Sequence, residues 1–421
     1  MPVTVTDNQK TAGERMRESF PEVRGVSMRI THSLTPEDQM LQSMPDASPT
    51  KWHLAHTTWF FETFVLNSYA SGYQPFDPRF TYLFNSYYKQ LGGHPFRGNR
   101  GLMSRPTLEQ VHDYRTHVDR AMMKFLETAP PEALGLIELG LNHEQQHQEL
   151  ILTDIKHGLW SAPLSPEPTQ ENSVQTSAPA LSWIAVEDGI HSIGHNGQWF
   201  AFDNEGPRHD VLLRPCEVAS RPVANQEYME FMNDNGYGRP ELWLSEGWDT
   251  VCREHWNAPF YWERHEDGSW WQFAHHMLKL VNPAEPVCHI SYFEADAFAR
   301  WSGKRLPTEE EWEIAAEARP VKGTLLDDSL FHPQPAKGEG MQQIFGDVWE
   351  WTASPYVAYP GFKPAAGAVG EYNGKFMCNQ FVLRGGSCVT PASHIRTTYR
   401  NFFPPQARWQ FSGLRLANDR S

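Results

Sequence analysis

The residues best equipped for chemistry in this chain are histidines. The string His143-Glu144-Gln145-Gln146-His147-Gln148-Glu149 sets two imidazoles four positions apart. On a helix that spacing puts both on one face, one turn apart, where they can share a metal ion. A third imidazole is available upstream in Trp52-His53-Leu54-Ala55-His56-Thr57-Thr58-Trp59. His56 shares a helical face with Trp52 and Trp59 and so points into a core. His53, three residues earlier, is a competitor, and spacing does not choose between them. Three neutral imidazoles on one side of an octahedral metal leave positions open for a substrate and dioxygen, as in facial-triad iron sites. The plainer alternative is a pair of surface histidines and one hydrogen-bonded core histidine.

The same string also fits His-Glu-x-x-His, in which the glutamate activates a zinc-bound water. That chemistry needs a third ligand, usually downstream. His157 is ten residues beyond His147 and well off the helical face of the pair. Gln145 and Gln146 stand where a protease helix carries apolar residues, so the sequence argues against a zinc protease.

Between the two histidine segments lies Phe84-Asn85-Ser86-Tyr87-Tyr88, followed by a glycine-rich stretch holding Arg97, Arg100 and Arg105. Adjacent tyrosines on a loop can bring a phenol over a site as a proton donor. Arginines so closely spaced suit a carboxylate clamp. A solvated basic loop with tyrosines as packing anchors is the alternative.

These groups must be positioned by helices. Ser48-Pro49 is a good helix start, with Ser as cap and Pro in the first turn, and Lys51 to Tyr69 follows with no Gly or Pro. Thr107 opens a helix that runs to Thr128, and Pro131 to Leu159 supplies another with apolar periodicity. The pattern from about residue 12 to 160 predicts a bundle of about four helices. Residues 162–180 are rich in Pro, Ser, Thr and Ala and read as a linker or surface strap. Beyond them, short apolar segments such as Trp183–Val186, Val211–Leu213 and Phe381–Leu383 alternate with turns. Two helices stand out there: Asn225 to Asn235, and a stretch from Phe293 through Glu309 to Ala318 with Thr308 and Glu311 as a capping box. The fold class expected is α+β multidomain: a helical bundle at 1–161, a linker at 162–180 and an irregular α+β domain at 181–421.

Composition supports a soluble globular protein. The 421 residues are 40% hydrophobic and 21% charged, and 36 basic against 51 acidic residues give a net charge of -15. So acidic a chain is a poor general binder of nucleic acid or anionic membrane. Mean hydropathy is -0.57, and no apolar run has bilayer-spanning length. The five cysteines form no Cys-x-x-Cys, and residues 1–10 show no signal pattern, so reduced thiols in a cytoplasm are expected.

Taken together, Leu54-Ala55-His56-Thr57-Thr58-Trp59-Phe60-Phe61-Glu62 and Asn142-His143-Glu144-Gln145-Gln146-His147-Gln148-Glu149 resemble the iron-binding, DinB-like bundle of the ergothioneine-pathway sulfoxide synthases. The second half resembles the sulfatase-modifying-factor fold, related to formylglycine-generating enzymes, with a C-type-lectin-like core. The matching strings are Asn204–Pro207, Arg221–Asn225, Gly303–Trp312, Gly346–Trp351, Leu383–Ser387 and Ser412–Leu416. The resemblance implies a non-haem iron(II) oxidoreductase that joins the sulfur of cysteine to imidazole C2 of hercynine, a trimethylated histidine, with O2 as co-substrate. It selects His56, His143 and His147 as iron ligands. It gives Tyr87 or Tyr88 the proton-donor role, Arg97 and Arg100 the cysteine carboxylate with Arg105 able to replace either, and Gln146 the substrate imidazole. It assigns Asn401, Phe402 and Phe403 to the amino-acid end of hercynine, where aromatic faces hold a trimethylammonium that cannot donate a hydrogen bond. The branch that uses γ-glutamylcysteine carries Trp-Asp at Phe402-Phe403, so cysteine is the expected donor. Cys388 is expected to be a buried thiol. The alternatives are γ-glutamylcysteine, a selenosugar as in selenoneine synthesis, attack at another imidazole carbon, or a non-catalytic lectin-like binding module. Oligomeric state and a structural Ca2+ in the second domain stay open.

Overall fold

A computed structural model describes residues 11–164, 177–274, 277–365, 367, 370 and 373–420. Most of the expected linker, residues 165–176, lies outside the described residues. The chain divides into two compact units at Ser161 and Ala162, with Gly367 counted in the first.

Among its described residues the first unit is built on four long helices: α1 (Ala12–Thr31), α2 (Thr50–Phe60), α3 (Leu108–Phe125) and α4 (Pro131–Trp160). α1 and α3 each open with a reciprocal capping box, Thr11 with Glu14 and Thr107 with Gln110. All eleven residues of α2 are buried, including Lys51, His53, His56, Thr57 and Thr58, so each of those polar groups needs a partner.

α2 departs from the expected helix at both ends. It begins at Thr50 after Pro49, without a side-chain cap. Ser48 is occupied elsewhere: its N–H donates to Asp154 Oδ2 at 2.7 Å, and its hydroxyl accepts from Arg100 Nη1 at 2.8 Å. At the far end Phe61–Leu66 forms a π-helical turn before Asn67–Tyr69 closes the run. Glu62 in that turn is buried and accepts from the Tyr73 and Tyr114 hydroxyls, both at 2.7 Å, and from the Phe76 N–H at 3.0 Å.

α2 and α4 pack closely because Gly140 has no side chain. A Cβ there would stand 2.6 Å from the Phe61 ring and 2.9 Å from the Phe60 ring. On α4 the Glu144 carboxylate is fully buried. It accepts from Ser27 Oγ at 2.6 Å and Arg24 Nη1 at 2.7 Å, and from Arg115 Nη2.

Among its described residues the second unit carries four small sheets. Trp183–Val186, Cys216–Ala219 and Ala417–Asp419 form one, with Cys216–Ala219 central. Asn401–Phe403, Phe381–Arg384, Trp349–Pro355 and Ser412–Gly413 form another in that order. Gly189–Ile193 pairs with His209–Leu213, and Trp262–Arg264, Trp270–Ala274 and Met277–Leu280 form an antiparallel triple. Helices span Asn225–Asn233, Ser245–Glu254, Tyr292–Trp301 and Glu309–Ala316. The stretch expected from Phe293 to Ala318 is thus two helices, the second opened by the Thr308–Glu311 box. Ser245–Glu254 was not anticipated, since its string is polar and holds Gly247. Buried ion pairs tie this unit together: Arg384 and Arg400 both reach Glu309, at 2.9 and 2.8 Å, and Arg415 reaches Glu350 at 2.7 Å. Cys388 is buried. Among the described residues no helix is long and apolar enough to cross a membrane.

Candidate metal centre

The helix faces deliver what the spacing asked of them. His56 on α2 and His143 and His147 on α4 are all buried, and one nitrogen of each lies within 4.8 Å of the other two. The rings approach at centroid distances of 5.0, 4.9 and 4.6 Å.

His56 is held on three sides. Trp52 stacks on it at 4.5 Å and 12°, Trp59 at 5.4 Å and 15°, one on each side along the helix. Its Nδ1 donates to the Phe84 carbonyl at 2.6 Å, which leaves the lone pair on Nε2, the nitrogen that could take a metal. Burial is the main force keeping all three rings neutral. It pushes His143 down to about 3, and it places His56 and His147 well below the ordinary imidazole value, helped by neighbouring histidines and the Arg100 cation. Neutral imidazoles present the lone pairs that a first-row divalent ion needs, so the donor set fits such an ion.

His53 stands behind this group. Its Nδ1 lies 2.7 Å from Nδ1 of His147, and its Nε2 lies 3.1 Å from Asp154 Oδ2. Sequence reasoning passed over Asp154, although it sits seven residues, two helical turns, beyond His147 on the same face. The backbone carbonyl of Phe84 left no signal in residue type. Glu144 is committed to Arg24, Arg115 and Ser27 and is not placed to activate a water, which agrees with the argument against a zinc protease.

The loop between the helices brings some of its candidates in and leaves others out. Tyr88 is buried against Trp59 and Phe64, at 5.6 and 5.2 Å, with Tyr87 half-buried 4.8 Å from it. Asn85 fixes this turn by bonding the Tyr88 N–H and carbonyl. Arg100 is buried, its guanidinium 3.4 Å over the Trp52 ring. Burial first, then Arg97, push it down to about 9, which still leaves it charged at neutral pH. Arg97 is exposed and bonds the carbonyl of Asp46; Arg105 is exposed and bonds the carbonyl of Ser104. Gln146 is half-buried on α4.

Asn401, Phe402 and Phe403 are in the second unit, half-buried on an edge strand paired with Phe381–Leu383. Phe402 lies flat on Tyr356 at 4.0 Å and 10°, while Phe403 meets the edge of Trp409 at 6.2 Å. A further phenol, Tyr359 of the second unit, has its hydroxyl buried between Glu309, at 3.1 Å, and Arg384, at 3.0 Å.

Known proteins resemble both units. The sulfatase-modifying factor enzyme 1-like domain matches residues 168–333 and 331–420. A formylglycine-generating enzyme of Streptomyces coelicolor is 27% identical over 53% of this chain and 84% of its own length. Two relatives extend over the bundle as well. Hercynine oxygenase of Mycobacterium tuberculosis is 29% identical over 97% of this chain and 100% of its own. Hercynine oxygenase of Mycolicibacterium thermoresistibile is 31% identical over 89% of this chain and 88% of its own. With a helical unit carrying three clustered imidazoles ahead of a sulfatase-modifying-factor domain, the chain belongs to the hercynine oxygenase family.

Proposed function

We propose that this protein is an iron(II)-dependent sulfoxide synthase that consumes dioxygen and joins the sulfur of cysteine to imidazole C2 of hercynine. The observation that carries the reading is the group of three buried, neutral imidazoles on two facing helices, in a chain of the hercynine oxygenase family. His56, His143 and His147 would hold the metal through ring nitrogens. Iron(II), when bound, supplies Lewis acidity for a thiolate and the electrons that activate dioxygen.

The chain's own residues do the rest. Trp52, Trp59 and the Phe84 carbonyl keep His56 in one orientation. Arg100 offers a buried cation to the carboxylate of the amino-acid substrate, where it counts for more than in water. Arg97 is the weaker candidate for that clamp, since its head is turned to Asp46. Tyr87 and Tyr88 stand beside the aromatic wall of the site, and a phenol keeps its proton at neutral pH and can give it up from Oη. Gln146 is the residue for the hercynine imidazole. For the trimethylammonium we favour Phe403 with Asn401, because one face of Phe402 is already covered by Tyr356. Phe402-Phe403 in place of Trp-Asp supports cysteine as the donor, and a free thiol substrate suits a reducing cytoplasm.

The test is anaerobic loading of the full chain with iron(II), followed by oxygen uptake with hercynine and cysteine. Uptake with a mass-identified C2 sulfoxide supports the reading. Turnover only with γ-glutamylcysteine or a selenosugar would change the donor, and no uptake with any pair would refute the oxygenase reading.

A further inference from the structure

His53, the imidazole that the metal group leaves out, has two polar neighbours and one consistent arrangement of protons. Two ring nitrogens 2.7 Å apart, His53 Nδ1 and His147 Nδ1, must share a single hydrogen. Asp154 only accepts, so the His53 proton sits on Nε2, which faces Asp154 Oδ2 at 3.1 Å. His53 Nδ1 is then an acceptor, and His147 must carry its own proton on Nδ1. That leaves Nε2 of His147 with its lone pair bare, on the side of the ring away from His53.

Asp154 is fixed in its turn. The Ser48 N–H donates to the same carboxylate oxygen at 2.7 Å, and Ser48 Oγ accepts from Arg100 at 2.8 Å. A polar line thus runs from Arg100 through Ser48, Asp154 and His53 to His147, and every member of it is buried.

We infer that His53, backed by Asp154, is a positioning residue that sets the tautomer and ring angle of His147 so that its Nε2 faces the metal. A ligating imidazole that donates its other N–H in this way is a better base, and losing such a partner weakens metal binding roughly ten- to hundredfold. The inference rests on the proposed metal centre only in taking His147 as a ligand.

The experiment is a cobalt(II) titration of metal-free, full-length protein against a competing chelator, with the visible spectrum and the thermal midpoint of the metal-free form recorded for each variant. His53→Leu should weaken cobalt binding about ten- to hundredfold and shift the spectrum. His53→Asn places Oδ1 near the position of the lost Nδ1, and it should recover most of the affinity. Asp154→Asn should fall between, so the idea remains testable even where His53→Leu does not fold. Affinity within about twofold of wild type for His53→Leu, with an unchanged spectrum, overturns the relay. So does a loss as complete as that of His147→Ala without recovery in His53→Asn, which would make His53 itself a ligand. Wild-type protein that binds no metal overturns the metal centre as well, whereas normal wild-type binding with indifferent variants overturns the relay alone.

Discussion

Replacing Glu144 by Gln asks whether the acidic residue in His-Glu-x-x-His supports the fold or the chemistry. Glu144 is fully buried and accepts from Arg24, Arg115 and Ser27. Burial alone would raise its pKa, but the two guanidiniums and the Ser27 hydroxyl outweigh it and hold the carboxyl down to about 2, against an ordinary 4.5. That gap corresponds to about 3 kcal/mol of stability. Removing one partner from a buried ion pair costs about 3–5 kcal/mol by comparison, because the remaining charges lose their compensation. For a unit of this size each kcal/mol lowers the midpoint by about 2–4 °C, so Glu144→Gln should melt roughly 6–20 °C below wild type at neutral pH. The assay is circular dichroism of metal-free protein on heating. The sign with pH follows from a depressed carboxyl: its contribution is complete above about 4.5 and is lost as pH falls through the folded value, so the two proteins should converge on acidification. A further control is joint replacement of Arg24, Arg115 and Glu144 by apolar residues, which should cost less than the single change. A neutral-pH midpoint within about 2 °C of wild type would refute the argument, and doing so with activity abolished would hand Glu144 back to catalysis.

His56→Ala, His143→Ala and His147→Ala should each leave a folded protein with little bound iron, measured by metal analysis after reconstitution. The double change Tyr87→Phe, Tyr88→Phe should keep iron and substrate binding and move product from sulfoxide toward cysteine sulfinic acid, read as their ratio by mass spectrometry at matched oxygen consumption. An unchanged ratio would remove both phenols from the branch point, and Tyr359, held by Glu309 and Arg384, is a poor replacement. Gly140→Ala forces a Cβ into the Phe60 and Phe61 rings and should cost about 1–3 kcal/mol, seen as a lower denaturant midpoint; a neutral effect would mean that the two helices separate freely. A fragment ending near Leu181 should bind iron without turning over hercynine, and full activity from it would reduce the second unit to a scaffold.

The cluster of imidazoles was legible in the sequence because helical periodicity alone puts 143 with 147 and 52 with 56 and 59. Periodicity did not choose His56 over His53, a choice that came from the family resemblance, since both rings are buried and lie on neighbouring strips of one helix. Tertiary partners separate them: a carbonyl and two indoles for His56, a carboxylate and another imidazole for His53. Ser48 shows the opposite failure. Its residue type matched a helix cap, but Arg100 and Asp154 compete for the same side chain and N–H from distant parts of the chain. In the second unit the Thr308–Glu311 box was readable because its partners are three residues apart, whereas the Ser245–Glu254 helix opens without a side-chain cap and turns Gly247, Thr250 and Val251 inward, so its start carries no signal in residue type. The Arg97, Arg100 and Arg105 triplet shows the limit of composition: burial sets Arg100 apart from two solvent-facing neighbours of the same type.

The wide turn at Phe61–Leu66 has a consequence for how much change this helix can absorb. Each residue added to or removed from a helix rotates the remainder of that helix by about 100°. Upstream of the turn the helix presents Trp52, His56 and Trp59; within it, Glu62 is anchored by Tyr73, Tyr114 and the Phe76 N–H. A single-residue deletion that tightened the turn would set these two commitments against each other, and either the carboxylate would leave its three donors or His56 would swing off its indole stack. A residue inserted at the exposed turn formed by Ser71 and Gly72 leaves the helix phase untouched. Length variation should therefore be tolerated after Tyr69 and forbidden a few residues earlier, a sharp boundary inside what reads in sequence as one uninterrupted helix.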